Sequence, residues 1–381
     1  MAHDLEDGPR LSESAGAVFA VLAAAGSATR PRLAALAGLS KPTVSAAVAE
    51  LETASLATRS GTAHGATGRS AAVYGLGPAA GCVLAVDLGS THTEVRGCAL
   101  DGTILTARAT DGRTRAADAL RDVLDVLDGL PTGSPRTVVI AVPDVATEHD
   151  GLGSRPATPA VAAEVDALGL PPGIPVHIEN NVNCAALAEL HEGAARGRHT
   201  FGYLQVGYGI GLGIVVGGQV LRGSNGAAGE IARLPYPWAA GEESVHEGME
   251  RYAGAGALLR RVAAAWLPQD GPEPRDAARL FALAAQGHAT ARRFVDGHAR
   301  EVGRLAAAAT AVLDPGLIVL GGGIGANPQL LPGVRAELAR LSWPTEVVCS
   351  EVGDSGTVAG AARLAVARGI QTVTDGAPVK H

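Results

Sequence analysis

The chain has 381 residues, of which 47% are apolar, 18% charged and only 3% aromatic. This length allows two or three domains, and their cores must be built from Ala, Val and Leu because aromatic residues are so few. A formal net charge of −7 excludes a protein that covers nucleic acid with its whole surface, although it permits a local basic patch. The polar N-terminus and the lack of an apolar run of ~18 residues predict neither a signal peptide nor a membrane span. We therefore expect a cytoplasmic protein with no membrane partner.

A helix-turn-helix pattern follows a disordered lead-in that we expect over residues 1–12. Apolar residues at helical spacing predict a first helix from Glu13 to Ala25, and the segment 29–51 indicates two further helices joined by a short turn. Gly38 can end the second helix in the left-handed conformation, and Ser40 can cap the third helix. This layout is typical of domains that place one helix in the major groove of DNA.

A basic island surrounds this pattern. Two short strands predicted over 56–59 and 72–76 flank a tip rich in Gly, Ser and Thr, which is typical of a wing. The segment 25–75 carries five Lys or Arg against two Glu, and is therefore basic within an acidic chain. These features favour DNA binding over an ordinary helical hairpin with a solvated polar face. The side chains that we expect to contact DNA are Lys41, Thr43, Ser45, Arg59 and Arg69.

Glycines at 75–81 predict a boundary between a DNA-binding domain (13–77) and a second module (78–381). In the second module apolar strands alternate with helices, which implies an α/β fold with mainly parallel sheets covered on both faces. We expect two lobes with a cleft between them, the first formed by about 78–178 with the C-terminal helix and the second by about 179–355. Two of the predicted helices span 249–264 and 274–288.

The segment 203–231 holds a dense group of glycines. It begins as a strand at 203–206, and we expect 207–213 to form a glycine-rich turn before strands at 214–216 and 219–221. Glycine lets a backbone approach a phosphate closely, so the N–H groups of such a turn could cradle one. Tight hairpins also need glycine for purely structural reasons.

Several motifs together resemble the ROK family (repressors, open reading frames and sugar kinases) of the actin/hexokinase-like superfamily. They are HIENNVNCAALAE at 177–189, the glycine-rich hairpin, GEIAR at 229–233, DLGSTH at 87–92 and LIVLGGG at 317–323. At 87–92 the family usually shows Asp-x-Gly-Gly-Thr-Lys, so His92 stands in place of the lysine. The resemblance covers nearly the whole chain and implies a winged helix-turn-helix followed by a two-lobed actin/hexokinase-like module.

The catalytic base of the family is replaced. In ROK sugar kinases the segment after the core strand reads Glu-Asn-Asp-x-Asn, and its Asp acts as the general base. Here Asn180 and Asn183 match, whereas Asn181 occupies the Asp position. An amide has no useful basicity, so the resemblance implies loss of efficient phosphoryl transfer. We accordingly predict no catalytic residue and expect that the protein is not an enzyme.

The zinc ligands of the family are also replaced. The family uses one His and three Cys, and the aligned positions here are Arg233, Gly241, Glu243 and Gly248. The four cysteines lie elsewhere in the chain and lack CxxC spacing, and His246 among loop carboxylates is more typical of plain surface than of a metal site. We predict no metal and no cofactor, and leave ATP binding open.

Carboxylates and amides that could hold a sugar persist. Glu230, Glu250 and Asn180 offer the acceptors and donors that polyol hydroxyls need. Arg233 could hold an anionic or phosphorylated ligand, and it could equally pair with a neighbouring Glu. The predicted effector-binding residues are Asn180, Asn181, Glu230, Arg233 and Glu250.

The sequence therefore predicts a ROK-family transcriptional regulator, and specifically a repressor controlled by a sugar, a phosphorylated sugar or another sugar-derived effector. We expect a homodimer or homotetramer that binds an inverted-repeat operator in double-stranded DNA. Two alternatives stay open. One is a ROK sugar kinase with residual activity and an appended DNA-binding domain, and the other is a degenerate regulator that answers to no small molecule.

Overall fold

The computed structural model describes residues 11–64, 70–89, 91–149, 153–236, 243–245 and 247–375. The chain divides into two units, the first formed by 1–181 with 361–381 and the second by 182–360. Helices and sheets are mixed in both units, which confirms the predicted α/β fold class. Within the described ranges, none of the helices combines the length and the apolarity that a bilayer crossing requires.

The chain opens with three helices whose ends are set by their caps. These are α1 (Glu13–Ala25), α2 (Arg30–Ala37) and α3 (Lys41–Thr53). Gly38 ends α2 with φ 67° and ψ 24°, and the Ser40 hydroxyl accepts a hydrogen bond from the Thr43 N–H at 3.3 Å. Both caps were predicted, since glycine tolerates the left-handed region and serine satisfies a free N–H of the first turn.

A three-stranded antiparallel sheet completes this part of the chain. Strands β1 (Ser27–Thr29), β2 (Ala57–His64) and β3 (Ser70–Leu76) are ordered β1-β3-β2. The two predicted wing strands are present and are longer than expected, while β1 was not predicted because three residues between helices carry no periodicity. The tip at 65–69 lies outside the described residues.

Residues 77–80, which follow β3, form hydrogen bonds both with the segment before β2 and with Arg136. The Gly77 N–H donates to Leu56 O at 2.9 Å and the Ala79 N–H to Ser55 O at 3.0 Å. The carbonyls of Ala79 and Ala80 in turn accept hydrogen bonds from the Arg136 guanidinium, at 2.5 and 3.1 Å. This connection is therefore a hydrogen-bonded joint, which the glycine-rich sequence did not predict.

The first unit also contains a five-stranded sheet in the order β10-β7-β4-β5-β6. Its strands and the elements between them are β4 (Cys82–Leu88), β5 (His92–Ala99), β6 (Ile104–Asp111), α4 (Ala116–Asp128), β7 (Pro135–Val142), β8 (Ala146–His149), β9 (Gly153–Pro156), α5 (Pro159–Asp166) and β10 (Val176–Asn180). Strands β4, β7 and β10 are parallel, with Asp87 opposite Ala141 and Asn180 opposite Val142. Their carboxyl ends therefore meet at one edge, where ligands of open α/β sheets usually bind.

The second unit is built around a sheet in the order β13-β12-β11-β14-β15. Its elements are α6 (Asn181–Glu192), β11 (Phe201–Val206), β12 (Ile210–Val216), β13 (Gln219–Val220), α7 (Gly248–Ala253), α8 (Ala255–Ala265), α9 (Ala277–Ala285), α10 (Ala289–Leu313), β14 (Leu317–Gly321), α11 (Gly322–Gly325), α12 (Leu331–Leu341) and β15 (Glu346–Cys349). Helix α13 (Gly356–Thr374) ends the described chain, and its residues from Ala361 onward belong to the first unit.

The glycine-rich turn is shorter than predicted. Residues 210–213 already belong to β12, so the turn comprises only 207–209. A Cβ on Gly211 would lie 2.7 Å from a methyl group of Val182, and one on Gly213 would lie 2.8 Å from the Ala186 Cβ. These two glycines therefore let α6 pack closely on β12, which is a role in packing and not in phosphate binding.

The two helices predicted over 249–264 and 274–288 were drawn too long. The first is interrupted at Gly254, whose extended backbone (φ −71°, ψ 166°) separates α7 from α8. The second is only α9, because the Asp276 carboxylate caps its start by accepting from the Arg279 N–H, and the chain turns away at Gly287 with φ 90°.

Candidate functional site

Helix α3 presents part of the predicted DNA-binding set to solvent. Lys41 and Ser45 are exposed one turn apart on the same face, beside exposed Ala46. Thr43 is half-buried, and its hydroxyl lies 2.7 Å from the Ser40 Oγ. Thr43 is thus tied to the helix cap, whereas Lys41 and Ser45 are free to meet a ligand surface.

The basic residues around α3 differ in their surroundings. Arg59 is exposed on β2, where its guanidinium lies 3.4 Å from the Thr62 hydroxyl. Arg69 lies outside the described residues. Arg30, which contributes to the basic island, is 4.9 Å from the centre of the Tyr74 ring and 3.5 Å from a Glu52 carboxylate oxygen. Part of the local positive charge is therefore neutralised within the domain.

The first phosphate-loop motif places a buried carboxylate at the end of β4. Asp87 is 2% exposed, and burial raises the pKa of its carboxyl group even though the hydrogen bond to His92 acts in the opposite direction. The His92 Nε2 lies 3.2 Å from the Asp87 Oδ2, so the two side chains are paired. Arg113 stabilises the end of β4, since its guanidinium donates to Gly89 O at 3.0 Å and forms an ion pair with Glu164.

At the same sheet edge Asn180 and Asp144 are bonded together. The Asn180 side-chain amide donates to the Asp144 backbone carbonyl at 3.1 Å. Asn180 is the last residue of β10, and Asp144 lies two residues after the parallel strand β7. The Asp144 carboxylate accepts from the Val145 N–H at 2.8 Å and from the Thr158 N–H and hydroxyl at 2.7 and 2.8 Å. Asp144 therefore fixes the start of α5.

Asn181 is half-buried at the first position of α6. It directly follows β10, so the structure places it after the core strand as the motif predicts. Asn183 on the same helix is 4% exposed and lies in the interior. Of the three asparagines in the motif, only Asn180 and Asn181 retain exposed side-chain surface.

The remaining predicted ligand residues lie in the second unit. The Arg233 guanidinium lies 3.4 Å from a Glu230 carboxylate oxygen, which is the pairing that the sequence left open as an alternative. A Glu250 carboxylate oxygen lies 3.3 Å from the Ile210 N–H, so this N–H is directed at a carboxylate. The turn at 207–209 is therefore flanked by negative charge, which disfavours phosphate at this N–H.

Glu189 is a buried carboxylate that sequence reasoning missed as a structural residue. It is fully buried near the end of α6, where one oxygen accepts from the Ala194 N–H at 2.7 Å. The other oxygen accepts from the Ser350 hydroxyl and from the N–H groups of Glu351 and Val352, at 3.2 and 3.4 Å. No local sequence pattern indicates this role, because the partners at 350–352 are more than 150 residues away.

One position of the family's zinc site is closed to a cysteine. A Cβ on Gly248 would lie 2.4 Å from the Tyr236 carbonyl oxygen, so a larger residue there would require the backbone to move. Tyr236 itself packs on Tyr252, with ring centres 4.3 Å apart. Among the residues that the structure describes, no three His, Cys, Asp or Glu side chains converge as a metal site, whereas Gly241 and His246 lie outside them.

Curated relatives of this chain include sugar kinases. The bifunctional enzyme NanE/NanK of Brucella melitensis is 31% identical over 195 residues, which are 51% of this chain and 36% of that protein. The chain thus spans only about a third of the length of this bifunctional relative. The N-acetylmannosamine kinase of Salmonella typhi is 28% identical over 291 residues, which are 74% of this chain and 97% of that protein.

Solved structures extend the similarity to the whole fold. The crystal structure of a ROK family transcriptional regulator, a homologue of the E. coli MLC protein, has a TM-score of 0.72 and 21% identity. The comparison covers 95% of this chain and 98% of that one, so it includes the N-terminal helices and sheet. A ROK hexokinase from Thermus thermophilus has a TM-score of 0.56 and 29% identity over 74% of this chain and 96% of that chain.

These relatives contradict the prediction that the chain is not an enzyme. The curated relatives include sugar kinases, and one of them, the N-acetylmannosamine kinase of Salmonella typhi, matches over almost its entire length. The substitution at Asn181 is one residue within that match. It is therefore not sufficient to exclude phosphoryl transfer.

The family itself is established by the extent of the match. The ROK family profile matches residues 83–368, which is well over half of the chain. Asp87 on β4, Asn180 on β10 and the hairpin of the second unit lie within that range. This chain belongs to the ROK family.

Proposed function

We propose that this protein is a ROK-family transcriptional repressor that binds DNA through residues 13–77 and a sugar or sugar-derived ligand through residues 78–381. The observation that carries the proposal is the exposed face of α3. Lys41 and Ser45 project from a helix whose start is fixed by the Ser40 cap, directly after the left-handed Gly38. A helix positioned in this way can lie in a major groove while the adjacent hairpin contacts phosphate.

The second module supports a small-molecule ligand. Asn180 lies at the sheet edge where open α/β sheets bind ligands, with a side chain that retains exposed surface. Relatives that are named for activity on N-acetylmannosamine and glucose favour a hexose or an N-acylhexosamine. Because Arg233 lies beside Glu230, a neutral sugar is favoured over a phosphorylated one at these residues.

Repression requires two DNA-binding domains acting together, because one small basic domain binds weakly and with little discrimination. We therefore propose a homodimer or homotetramer and an operator with two inverted half-sites. The half-sites should be separated by about one helical turn, roughly 34 Å, or a small multiple of it.

Selection of binding sites from a pool of random duplexes tests this function with the full chain. The expected result is an enriched inverted repeat whose affinity for the protein changes in the presence of one member of a sugar panel. Recovery of no motif, or of a single asymmetric site, would contradict the proposal. Operator binding that no sugar alters would support the effector-independent regulator instead.

A second function, slow phosphoryl transfer to a sugar hydroxyl, is favoured by the kinase relatives. Asn181 cannot accept a proton near neutral pH, so only positioning and electrostatic stabilisation remain. In a coupled assay of ADP release, Asn181→Asp should raise turnover by about 100-fold or more, since general-base catalysis typically contributes 10²–10⁴. An unchanged rate in this variant, on every sugar of the panel, would argue against a latent kinase site.

A further inference from the structure

A cavity of about 340 Å³ lies beside the start of α10, outside the residues considered so far. It is lined by Gly287, Ala289, Arg292, Arg293, Asp296 and Arg300. Three of these six residues are arginines and one is acidic, so the cavity is strongly positive. Its volume falls within the range of small-molecule sites in proteins.

The arginines of this cavity differ in their ion pairing from two other arginines of the second unit. Arg304, one turn further along α10, forms an ion pair with Glu337 at 3.0 Å, and Arg261 forms one with Glu301 at 2.7 Å. In the described part of the chain, by contrast, Arg292, Arg293 and Arg300 form no ion pair, and all three are exposed. The lining sets three guanidinium groups against a single carboxylate, that of Asp296. The excess positive charge repels itself, and an anion bound there lowers that repulsion.

The helix adds to the positive potential. Helix α10 is 25 residues long and has no acidic residue in its first turn. Its cap is a histidine and not a carboxylate, because the His288 Nδ1 accepts from the Ala291 N–H at 3.3 Å. The amino end of such a helix carries a partial positive charge that attracts anions.

The frame around the cavity is held in place by several contacts. The His288 ring stacks on Trp266, with ring centres 5.0 Å apart, and its Nε2 lies 2.9 Å from Asp270 O. The Thr290 hydroxyl donates to the Asp270 carboxylate at 2.7 Å. Gly287 has a φ of 90°, a conformation that favours glycine, and it turns the chain into the start of α10.

We propose that this cavity binds the phosphate group of a small molecule. Guanidinium groups match phosphate because their paired N–H donors can make two parallel hydrogen bonds to its oxygens. The site shares no residue with the proposed sugar site, so it would supply a second, anionic input to the protein. Free phosphate and a phosphorylated sugar present the same chemistry, and the experiment below separates them.

Calorimetric titration of the full chain tests the site, at about 0.15 M salt so that diffuse attraction is screened. The probes are inorganic phosphate, glucose 6-phosphate and neutral glucose. We expect saturable binding of a phosphate-bearing probe that is weakened at least about tenfold by combining Arg292→Gln with Arg293→Gln, since each removes charge-assisted hydrogen bonds. The matched control is Arg275→Gln, an exposed arginine outside the cavity, which should leave the affinity unchanged.

The substituted side chains are exposed, so the variants should fold and a loss of affinity can be attributed to the missing arginines. Equal binding of inorganic phosphate and glucose 6-phosphate would assign the cavity to free phosphate, and tighter binding of the sugar phosphate would assign it to an organic phosphate. Absence of saturable binding, or the same affinity in the parent and the double variant, would overturn the proposal. Neither result bears on the DNA and neutral-sugar binding proposed above, which are measured separately.

Discussion

Asp87 and His92 form a close pair across the first loop of the β4–β5 hairpin, with the Asp87 Oδ2 3.2 Å from the His92 Nε2. The aspartate side chain is 3% exposed, whereas the histidine is 44% exposed. Burial is the largest influence on Asp87 and raises the pKa of its carboxyl group above the ordinary value of 3.8, because the charged form loses hydration. His92 opposes this shift without cancelling it.

This pair leads to a prediction about stability. Since the folded-state pKa of Asp87 is raised, its contribution to stability is complete below about pH 4 and is lost as the pH rises through the folded-state pKa. Asp87→Asn should therefore raise the melting temperature at pH 7, because the buried charge is removed. The gain should disappear below pH 4. Thermal unfolding at several pH values measures it, and Asp118→Asn on the exposed face of α4 serves as the neutral control.

Glu337 should show the opposite pH dependence. Hydrogen bonds from Arg340 and then Arg304 lower the pKa of its carboxyl group to about 2, with nitrogen–oxygen distances of 2.9 to 3.0 Å. Its contribution to stability is therefore present above the ordinary value of 4.5 and is lost as the pH falls toward 2. Glu337→Gln should lower the melting temperature at pH 7, and the difference from the parent should shrink as the pH is lowered.

The control for this prediction is Glu346→Gln, which removes a half-exposed carboxylate that pairs with a single arginine, Arg198. Exposed single pairs contribute little, so this variant should unfold close to the parent temperature. A constant difference between Glu337→Gln and the parent over the whole pH range would mean that packing, and not charge, is what Glu337 contributes.

Gly213 tests the close approach of α6 to β12. An added methyl group would lie 2.8 Å from the Ala186 Cβ and 2.9 Å from the Val182 carbonyl oxygen. Gly213→Ala should lower the free energy of unfolding by about 1–3 kcal/mol, as is usual for overpacking. Gly323→Ala is the matched control because nothing lies within 4 Å of its added Cβ. Chemical denaturation that gives equal stabilities for the two variants would show that α6 can move away without cost.

The DNA-binding proposal distinguishes base contacts from phosphate contacts. Lys41→Ala and Ser45→Ala should each weaken binding to the selected operator by about 1–3 kcal/mol, and should weaken binding to random duplex less. Arg59→Ala should weaken both similarly and lower the salt slope by about 1. Salt titrations of binding measure both effects, with Arg108→Ala on β6 as an exposed control. Equal losses on operator and random DNA for Lys41→Ala would place this side chain on phosphate.

Features that depend on neighbouring residues were predicted well. The start of α3 and the end of α2 follow from Ser40 and Gly38, whose effects on the backbone extend over only a few residues. The same holds for the buried strands that carry Asp87 and Asn180 near their carboxyl ends, because an apolar run that reaches a polar residue is visible in the sequence.

Features that depend on distant partners were not predicted. The glycines at 211 and 213 were assigned to a turn because glycine favours turns, whereas the decisive contact is with α6, nearly 30 residues earlier. The Asp144 carboxylate binds the start of α5, and Arg136 binds carbonyls 56 and 57 residues away. Neither contact has a sequence signature, since each is made by one ordinary polar residue whose partner is a backbone group.

The hydrogen bonds at residues 77–81 connect the N-terminal helices and sheet to β7 by more than the covalent chain alone. Arg136, at the beginning of β7, holds the carbonyls of Ala79 and Ala80, while the other end of β7 leads into Asp144 and its bond to Asn180. Asn180 and the N-terminal helices are thus connected to opposite ends of one eight-residue strand. These hydrogen bonds form a continuous series of contacts from the carboxyl end of β7 to the segment that follows β3.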